Sequence, residues 1–263
     1  MTRRLRDVAV LTWRNLLHIR REPMQLSDAT IQPVLFTLLF VYVFGAGIVV
    51  PGGRYVDFAL AGLLALNLTT SSMGTAVGLS TDLNGGIVDR FRTLPMSRAA
   101  VLVGRSLADL LTALLCMSIV AVTGYAIGWR PENGVASALA GFAIFLFFSY
   151  GLSWACACIG ITSKGPESAQ GVGLVLIFPL AFVSNALVPT QHMPAVLRAI
   201  TSWNPVSAVT AAARELFGNP NPSAAIQAWP MQHPVEASLL WCVALVALFG
   251  PLAAHLYRRR ITE

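Results

Sequence analysis

Charged residues are scarce in this sequence. Asp, Glu, Lys and Arg together make up 11% of the 263 residues, against about 25% in an average soluble domain. Hydrophobic residues make up 56%. A water-soluble domain of this length can bury one long apolar run but not several, so the composition excludes an ordinary soluble protein. The net charge of +6 comes from scattered basic residues and not from one basic stripe, so no nucleic-acid partner is expected.

Several motifs of enzyme and ion-transport chemistry are also missing. Lys164, the only lysine, lacks the G-x-x-x-x-G-K-[ST] spacing of a phosphate-binding loop, so this chain is not expected to hydrolyse nucleotides by that route. The four histidines form no ligand cluster, and we expect neither a metal site nor a cofactor in this chain. No carboxylate lies near the centre of an apolar run, which removes the usual sign of proton-coupled transport.

Cysteine predicts neither a disulfide framework nor a zinc site. All four cysteines lie inside long apolar runs, where they behave as small apolar residues. They are Cys116, Cys156, Cys158 and Cys242.

Long apolar runs are what the sequence does contain. Each of six uncharged runs has about 20 residues or more, enough for a helix to cross a hydrocarbon core about 30 Å thick. We therefore predict an all-α integral membrane protein with six transmembrane helices. The runs are Ala29–Gly53, Phe58–Thr81, Leu110–Trp129, Asn133–Ser163, Ser168–Leu197 and Ala237–Tyr257.

Basic residues fall mainly in every second gap between the runs. When the gaps are assigned alternately to two sides, one side receives 14 of the 18 basic residues, including the cluster Arg258–Arg260. The other side receives only Arg54, Arg130, Arg198 and Arg214. This asymmetry is typical of cytoplasmic loops and predicts that both termini are cytoplasmic. The arginine-rich, lysine-poor composition is typical of a high-GC bacterium, and the plasma membrane is the expected location.

The whole chain, residues 1–263, is predicted to form one transmembrane domain with three parts that do not cross. Residues 1–28 contain an amphipathic pattern that predicts a connecting helix at the membrane interface. Residues 82–104 form a cytoplasmic loop, and residues 189–234 form an external helical hairpin. In this hairpin Asn204 and Pro205 predict the N-cap and first residue of a helix that ends at Phe217 and Gly218. The hairpin is predicted to be re-entrant, dipping into the outer leaflet between the fifth and sixth spans. A hairpin that lies flat at the interface is the alternative, and sequence barely separates the two.

The loop at residues 82–104 contains a short amphipathic helix. Asn84, Gly85 and Gly86 break the incoming helix, residues 87–94 can form one or two turns, and Pro95 ends them. A helix this short is unstable alone and needs a partner surface. After the loop, the spacing of Arg105 and Asp109 predicts an ion pair on one helix face.

Hydroxyl residues lie near the middle of the second run. This stretch contains Asn67 and, after Leu68, the residues Thr69, Thr70, Ser71 and Ser72. Such residues line a polar pathway or mediate helix packing. Packing is favoured, because serine and threonine hydroxyls can bond to the preceding helical turn without any substrate.

Two blocks of sequence resemble the membrane subunits of type-2 ABC exporters, particularly the daunorubicin-resistance permeases. The first runs from Gly85 through Pro95 to Arg98, followed by Gly104-Arg105 and Ala108-Asp109. The second comprises Met193-Pro194 through Arg198, Asn204-Pro205-Val206-Ser207 and Ala212-Ala213-Arg214. The resemblance covers nearly the whole chain. This sequence departs from the family pattern at Gly85-Gly86, where relatives often carry one glycine and one charged residue.

The resemblance implies an assembly of two permeases and two ATPase subunits. ATP and Mg²⁺ would bind the partner ATPases, and this chain would not be an enzyme. The second permease would be the same chain or a related one. The short loop helix would be the coupling helix that docks on the ATPase, through Gly85, Gly86, Ile87, Asp89, Arg90, Phe91, Arg92, Leu94 and Pro95.

The cargo in this family meets an interface built partly from spans one, two and five. On that basis Asn67, Thr70, Phe178 and Asn185 are candidates for the substrate path. The favoured function is a permease that exports an amphipathic drug, an antibiotic or a lipid-like molecule from the cytoplasm or the inner leaflet. An ATP-independent carrier or channel is the alternative, supported only by the polar stretch 67–72. A lipid-modifying membrane enzyme would need an acid, base or metal cluster that the sequence lacks.

Overall fold

The computed structural model describes residues 23–85 and 98–262, and all regular structure in this part of the chain is helical. The first helix, α1, continues from Leu39 as a π-helix over Phe40–Phe44. Short 3₁₀ turns occupy Thr190–His192 and Pro222–Ala225. The α-helices are α1 (Pro23–Leu39), α2 (Tyr55–Ser71), α3 (Met73–Asn84), α4 (Arg98–Ala126), α5 (Gly134–Thr162), α6 (Pro166–Phe182), α7 (Ala195–Trp203), α8 (Pro205–Phe217), α9 (Trp229–Gln232) and α10 (Pro234–Thr262).

Four helical segments of the described chain are long and apolar enough to cross a membrane. They are Tyr55–Asn84, Gly104–Ala126, Gly134–Thr162 and Pro234–Arg260, the first formed by α2 and α3 together. The segments of the predicted first and fifth crossings, Thr30–Phe44 and Pro166–Phe182, are shorter. At 1.5 Å per residue they reach about 22 and 25 Å, less than a full hydrocarbon core. By length the structure thus supports four of the six predicted crossings.

Short connections join the helices in the middle of the chain. A turn that contains Pro131 joins α4 to α5, and the two glycines that bound it, Gly128 and Gly134, have φ of +101° and +84°. A short connection after Ser163 joins α5 to α6. The predicted connecting helix at residues 1–28 lies mostly outside the described residues. Its last part, Pro23 to Asp28, forms the first turns of α1.

Helix α2 forms the centre of the fold. Its residues from Tyr55 to Leu66 are all buried, with α4, α5, α6 and α8 packed around it. A helix that is apolar on all sides is expected to be buried on all sides. Glycine permits the closest approaches, because a Cβ at Gly62 would overlap the carbonyl of Ala186, and one at Gly160 would crowd the carbonyl of Ala76 on α3.

Candidate functional site

One side of α2 and α3 is polar and is not covered by the rest of the described chain. We call it the polar face: Asn67, which is half-buried, with the exposed residues Thr70, Ser71, Gly74 and Thr81. These positions recur at intervals of three, four and seven residues, which places them on one side of the helix. The preceding part of α2 is buried all round. The polar face therefore begins near the middle of the segment Tyr55–Asn84 and runs to the end of α3.

Two side chains on the polar face donate to backbone carbonyls of their own helix. The Asn67 amide Nδ2 donates to the carbonyl of Leu63 at 2.8 Å, and the hydroxyl of Thr70 donates to that of Leu66 at 2.9 Å. The side-chain oxygens retain free lone pairs. By contrast, Thr69 and Ser72 are buried and bond within the helix. In this polar stretch Thr69 and Ser72 are therefore packed inside the fold, whereas Asn67 and Thr70 lie on an uncovered surface.

Phe178 lies at the same level as the polar face. Gly173 of α6 is close to Met73, and Ala181 packs with Leu66, so α6 runs antiparallel to α2 and α3. This pairing brings Phe178 to the level of Thr70. Phe178 is exposed and stacks on Phe182, with ring centroids 4.2 Å apart. Of the four predicted path residues, the structure thus places Asn67, Thr70 and Phe178 on the outside of the fold.

Asn185, the fourth predicted path residue, is buried where α6 ends. It is 1% exposed, and its amide Nδ2 donates to Ser223 Oγ and approaches Met231 Sδ. Its backbone N–H donates to Ser207 on α8. Asn185 therefore joins the end of α6 to the external hairpin and does not lie on the polar face.

Polar side chains of the hairpin complete the backbone hydrogen bonding where α6 stops. The fifth uncharged run extends to Leu197, but the α-helix within it ends at Phe182. Asn204, at the turn between α7 and α8, donates to the carbonyls of Leu180 and Val183 at 2.8 and 2.6 Å. Buried carbonyls need such partners when a helix ends inside a protein. The same Asn204 caps α8 through the N–H of Val206, so the predicted N-cap is confirmed.

Arg214 completes this junction. The side chain is fully buried and donates to the carbonyls of Phe58, Asn185 and Ala186 at 2.8 to 3.0 Å. Its guanidinium also stacks on the Phe58 ring at 3.7 Å. An arginine guanidinium stays protonated in proteins, so this buried group is a cation. The charge pattern of the sequence only assigned Arg214 to the side with few basic residues, and the structure adds that it is a buried connection between α2, α8 and the end of α6.

A second arginine holds the Tyr55 end of α2. Arg54 forms an ion pair with Asp57 at 2.9 Å and donates to the carbonyl of Gly128. The hydrogen bond and charge of Asp57 raise the pKa of the Arg54 guanidinium. Nearby, Trp129 donates to Asn219 at 2.7 Å, which links the α4–α5 turn to the chain after α8. The start of α2, the α4–α5 turn and the chain after α8 are thus joined by polar contacts.

The predicted coupling loop is described only at its two ends. Gly85 ends α3 and donates its N–H to the carbonyl of Thr81 at 2.8 Å, as expected for a helix-terminating glycine. The chain is described again from Arg98, where α4 begins. Beyond the loop, the predicted ion pair is present, with Arg105 Nε 3.3 Å from Asp109 Oδ1. The other predicted coupling residues lie outside the described residues, namely Gly86, Ile87, Asp89, Arg90, Phe91, Arg92, Leu94 and Pro95.

Sequence reasoning missed the roles of Arg214 and Thr75. Arg214 follows Ala211, Ala212 and Ala213, and such a run of small residues is a sign of a closely packed helix in which an arginine must find partners inside. Thr75 carries no comparable sign, because its partner Asp109 is 34 residues away. Among the described residues, no group of three or more His, Cys, Asp or Glu is placed to bind a metal ion.

Comparison with known proteins identifies the family. The model of the ABC-2 type transporter family matches residues 6–217. The daunorubicin resistance ABC transporter permease protein DrrB1 of Streptomyces coeruleorubidus is 31% identical over 250 residues, covering 94% of this chain and 84% of that protein. The probable doxorubicin resistance ABC transporter permease protein DrrC of Mycobacterium tuberculosis is 24% identical over 96% of this chain and 88% of its own. The putative transport permease ycf38 of Pyropia yezoensis is 24% identical over 82% and 76%.

The family predicted from the two sequence blocks is confirmed by these matches. Permeases of this family span the membrane, are not themselves catalytic and work with an ATPase partner. The chain belongs to the ABC-2 type transporter family and is a multi-pass membrane permease subunit of an ABC exporter.

Proposed function

We propose that this permease exports an amphipathic drug or a lipid-like molecule from the cytoplasm or the inner leaflet. It works with two copies of a separate ATPase, which bind ATP and Mg²⁺, and with a second permease that is the same chain or a related one. The names of the daunorubicin- and doxorubicin-resistance relatives support the cargo class. The protein would reside in the plasma membrane of a bacterium, with both termini in the cytoplasm.

The polar face is the observation that carries this proposal. Lipid chains offer no hydrogen-bond partners to the side chains of Asn67 and Thr70, so this surface is poorly suited to contact with lipid. It is better suited to an internal path along which a molecule with polar and apolar parts can move. The polar face occupies only the α3 half of the segment, the side toward the coupling loop. A path that opens from the inner leaflet is consistent with this placement.

Six crossings and a re-entrant hairpin form part of the same proposal. Ala181 packs with Leu66, which is 11 residues, or about 16 Å, along the helix from Tyr55. Since Asn204 binds the α6 end at this level, the turn between α7 and α8 lies deep between the helices. Residues 183–187 then complete the fifth crossing without helix. Non-helical backbone at membrane depth is tolerated where protein groups satisfy it, as Asn204 and Arg214 do here.

A transport assay tests the polar face. The permease and its ATPase are reconstituted in proteoliposomes, and ATP-dependent movement of an anthracycline and of a fluorescent phospholipid is compared for wild type, Thr70→Leu and Asn67→Leu. Both variants should lower transport about fivefold or more while the complex remains assembled, because one or two polar contacts of about 1 kcal/mol each are lost.

Ser118→Leu is the matched control. Ser118 is also exposed and also donates to the carbonyl four residues earlier, but it lies on the otherwise apolar outer side of α4. It should transport as wild type does. Equal transport by the Thr70, Asn67 and Ser118 variants would contradict the proposed path. Transport by the permease without ATPase or ATP would favour the ATP-independent carrier instead.

Replacement of Arg90, Phe91 and Leu94 by alanine tests the predicted coupling helix. These changes remove the charged and apolar groups expected to contact the ATPase, so co-purification and stimulated hydrolysis should both fall. Arg260→Ala removes an exposed positive charge at the end of α10 and should change neither. Unchanged association and hydrolysis in the triple variant would refute the assignment of the loop.

A further inference from the structure

A polar cluster connects α3 to α4 near the coupling loop. Asp109 Oδ2 accepts a hydrogen bond from the Thr75 hydroxyl at 2.7 Å. Arg105 lies beside Asp109, with Nε 3.3 Å from Oδ1, and its Nη2 donates to the carbonyl of Gly74 at 2.8 Å. The two helices are therefore joined twice, once between side chains and once from a side chain to backbone.

Burial strengthens these contacts. Thr75 is 3% exposed, and the side chains of Arg105 and Asp109 are about one-fifth exposed. Hydrogen bonds to ionised groups are stronger than neutral ones, and partial burial reduces the competition from water. Gly78 provides the space, because a Cβ there would overlap the Arg105 guanidinium. The sequence around the cluster is thus suited to holding Arg105 against α3.

The position of the cluster gives it a mechanical consequence. Helix α3 packs mainly against α5 and α6, whereas α4 packs mainly against α1 and α2. Thr75 lies nine residues before the end of α3 at Asn84, and Arg105 lies seven residues after the start of α4 at Arg98. The loop between these ends is the predicted contact with the ATPase. A displacement of the loop reaches both helices, whose main packing neighbours differ although α5 contacts both, and the cluster is a polar connection between them.

We propose that Thr75, Asp109 and Arg105 form a clamp that makes α3 and α4 move together when the ATPase displaces the loop. The proposal rests on the proposed function, since it requires an ATPase acting at the loop. With the clamp intact, movement of the loop is transmitted to α3 and the polar face. Without it, α4 slides along α3 and the movement is lost, so ATP is hydrolysed with less transport. These three are positioning residues, because they do not contact the cargo in this mechanism.

Thr75→Val tests the clamp through the ratio of transport to hydrolysis. Valine has nearly the shape of threonine but gives Asp109 no hydrogen bond. In proteoliposomes with the ATPase, hydrolysis should stay within about twofold of wild type, whereas transport per ATP should fall about fivefold or more. Thr75→Ser restores the hydroxyl and should recover most of the ratio.

Thr69→Val is the matched control. Thr69 is also buried on the same helical segment, but its hydroxyl donates to the carbonyl of Ala65 in its own helix. Its transport per ATP should equal that of wild type. If the threonine hydroxyls had a purely structural role, transport per ATP would fall equally in the Thr75→Val and Thr69→Val variants. A Thr75→Val protein with the wild-type ratio would overturn the clamp.

A distance measurement tests whether the clamp holds α3 and α4 together, independently of transport. Spin labels are attached at Thr81→Cys on α3 and Leu107→Cys on α4, two exposed positions, while the four native cysteines are buried. The wild-type pair should give one narrow distance that is the same with and without ATP-vanadate. Thr75→Val should broaden it, and an unbroadened distribution would contradict the clamp. If the wild-type complex fails to transport, the proposed function fails, and the distance distribution still tests the clamp.

Discussion

At the scale of single residues, buried polar side chains decide where α6 ends. Arg214 and Asn204 together bind five backbone carbonyls that lie in or next to other elements. A buried cation is costly unless its donors are satisfied, and here three carbonyls and the Phe58 ring do so. The contribution of Arg214 is therefore geometric as well as electrostatic. Its planar guanidinium group binds two chain segments at once, at Phe58 and at Asn185–Ala186.

Arg214→Lys should destabilise the protein although it keeps the charge. A single ammonium group cannot reach Phe58, Asn185 and Ala186 together, and each buried carbonyl left unpaired costs about 1–3 kcal/mol. Thermal unfolding in detergent, followed by a thiol-reactive dye that reports exposure of the buried cysteines, should show a clearly lower midpoint.

Arg198→Lys on α7 is the control for this measurement. The Arg198 guanidinium donates to the carbonyl of Gln191 at 3.3 Å and is only half-buried. Its replacement should shift the midpoint by a degree or two at most. Equal midpoints for the two lysine variants would show that Arg214 does not hold the junction together.

At the scale of elements, glycine positions set how closely the helices approach. Gly160 on α5 faces the carbonyl of Ala76 on α3, and a Cβ there would lie 2.5 Å from that oxygen. In membrane helices, where lipid is as apolar as leucine, close backbone packing supplies much of the association. The α3–α5 contact therefore holds the helix that carries Gly74 and Thr81 of the polar face.

Gly160→Ala should separate α3 from α5 and lower the unfolding midpoint. Overpacking of this kind costs about 1–3 kcal/mol. Gly250→Ala on α10 is the matched change, because a Cβ there meets no atom within 4 Å. Alanine is the better helix former, so Gly250→Ala should leave the midpoint unchanged or raise it slightly. If the unfolding midpoint fell by a similar amount in both variants, close packing at Gly160 would not be the cause of the destabilisation.

At the scale of the whole molecule, the fold raises the question of how the hairpin at residues 189–234 lies in the membrane. The exposed apolar side chains on α7, Val196, Ile200 and Trp203, would contact lipid or another chain in either proposed arrangement. What distinguishes the arrangements is depth. In a re-entrant hairpin α7 descends toward the turn at Asn204, whereas in a flat hairpin it lies parallel to the surface.

Spin labels at Val196→Cys and Trp203→Cys should therefore lie at different depths. The seven residues between them correspond to about 10 Å if α7 is steeply inclined. The depth of each label is read from the ratio of its accessibility to oxygen over its accessibility to a water-soluble nickel complex. This ratio should be higher at residue 203 than at residue 196. Val175→Cys on the exposed side of α6 and Glu132→Cys in the outer turn provide the membrane and water references. Equal depths at 196 and 203 would establish the flat arrangement.

Sequence patterns were most successful where structure is local. The N-cap at Asn204, the end of α8 at Gly218 with φ of +71°, and the pair Arg105–Asp109 all depend on residues a few positions apart. The family match depends on blocks of the same kind. The clamp partner Thr75 and the three carbonyls bound by Arg214 were not predictable, because their separation along the chain ranges from 28 to 156 residues.

The sequence by itself determined the membrane class, the all-helical architecture and the family, because long apolar runs, helix-ending residues and loop motifs depend on composition and short-range order. Only the tertiary structure decided which side of α2 and α3 stays open, where the fifth helix stops and what Arg214 binds. The physical reason is the same in each case. A buried donor or an uncovered face is defined by what packs against it, and that depends on helices brought together from distant parts of the chain.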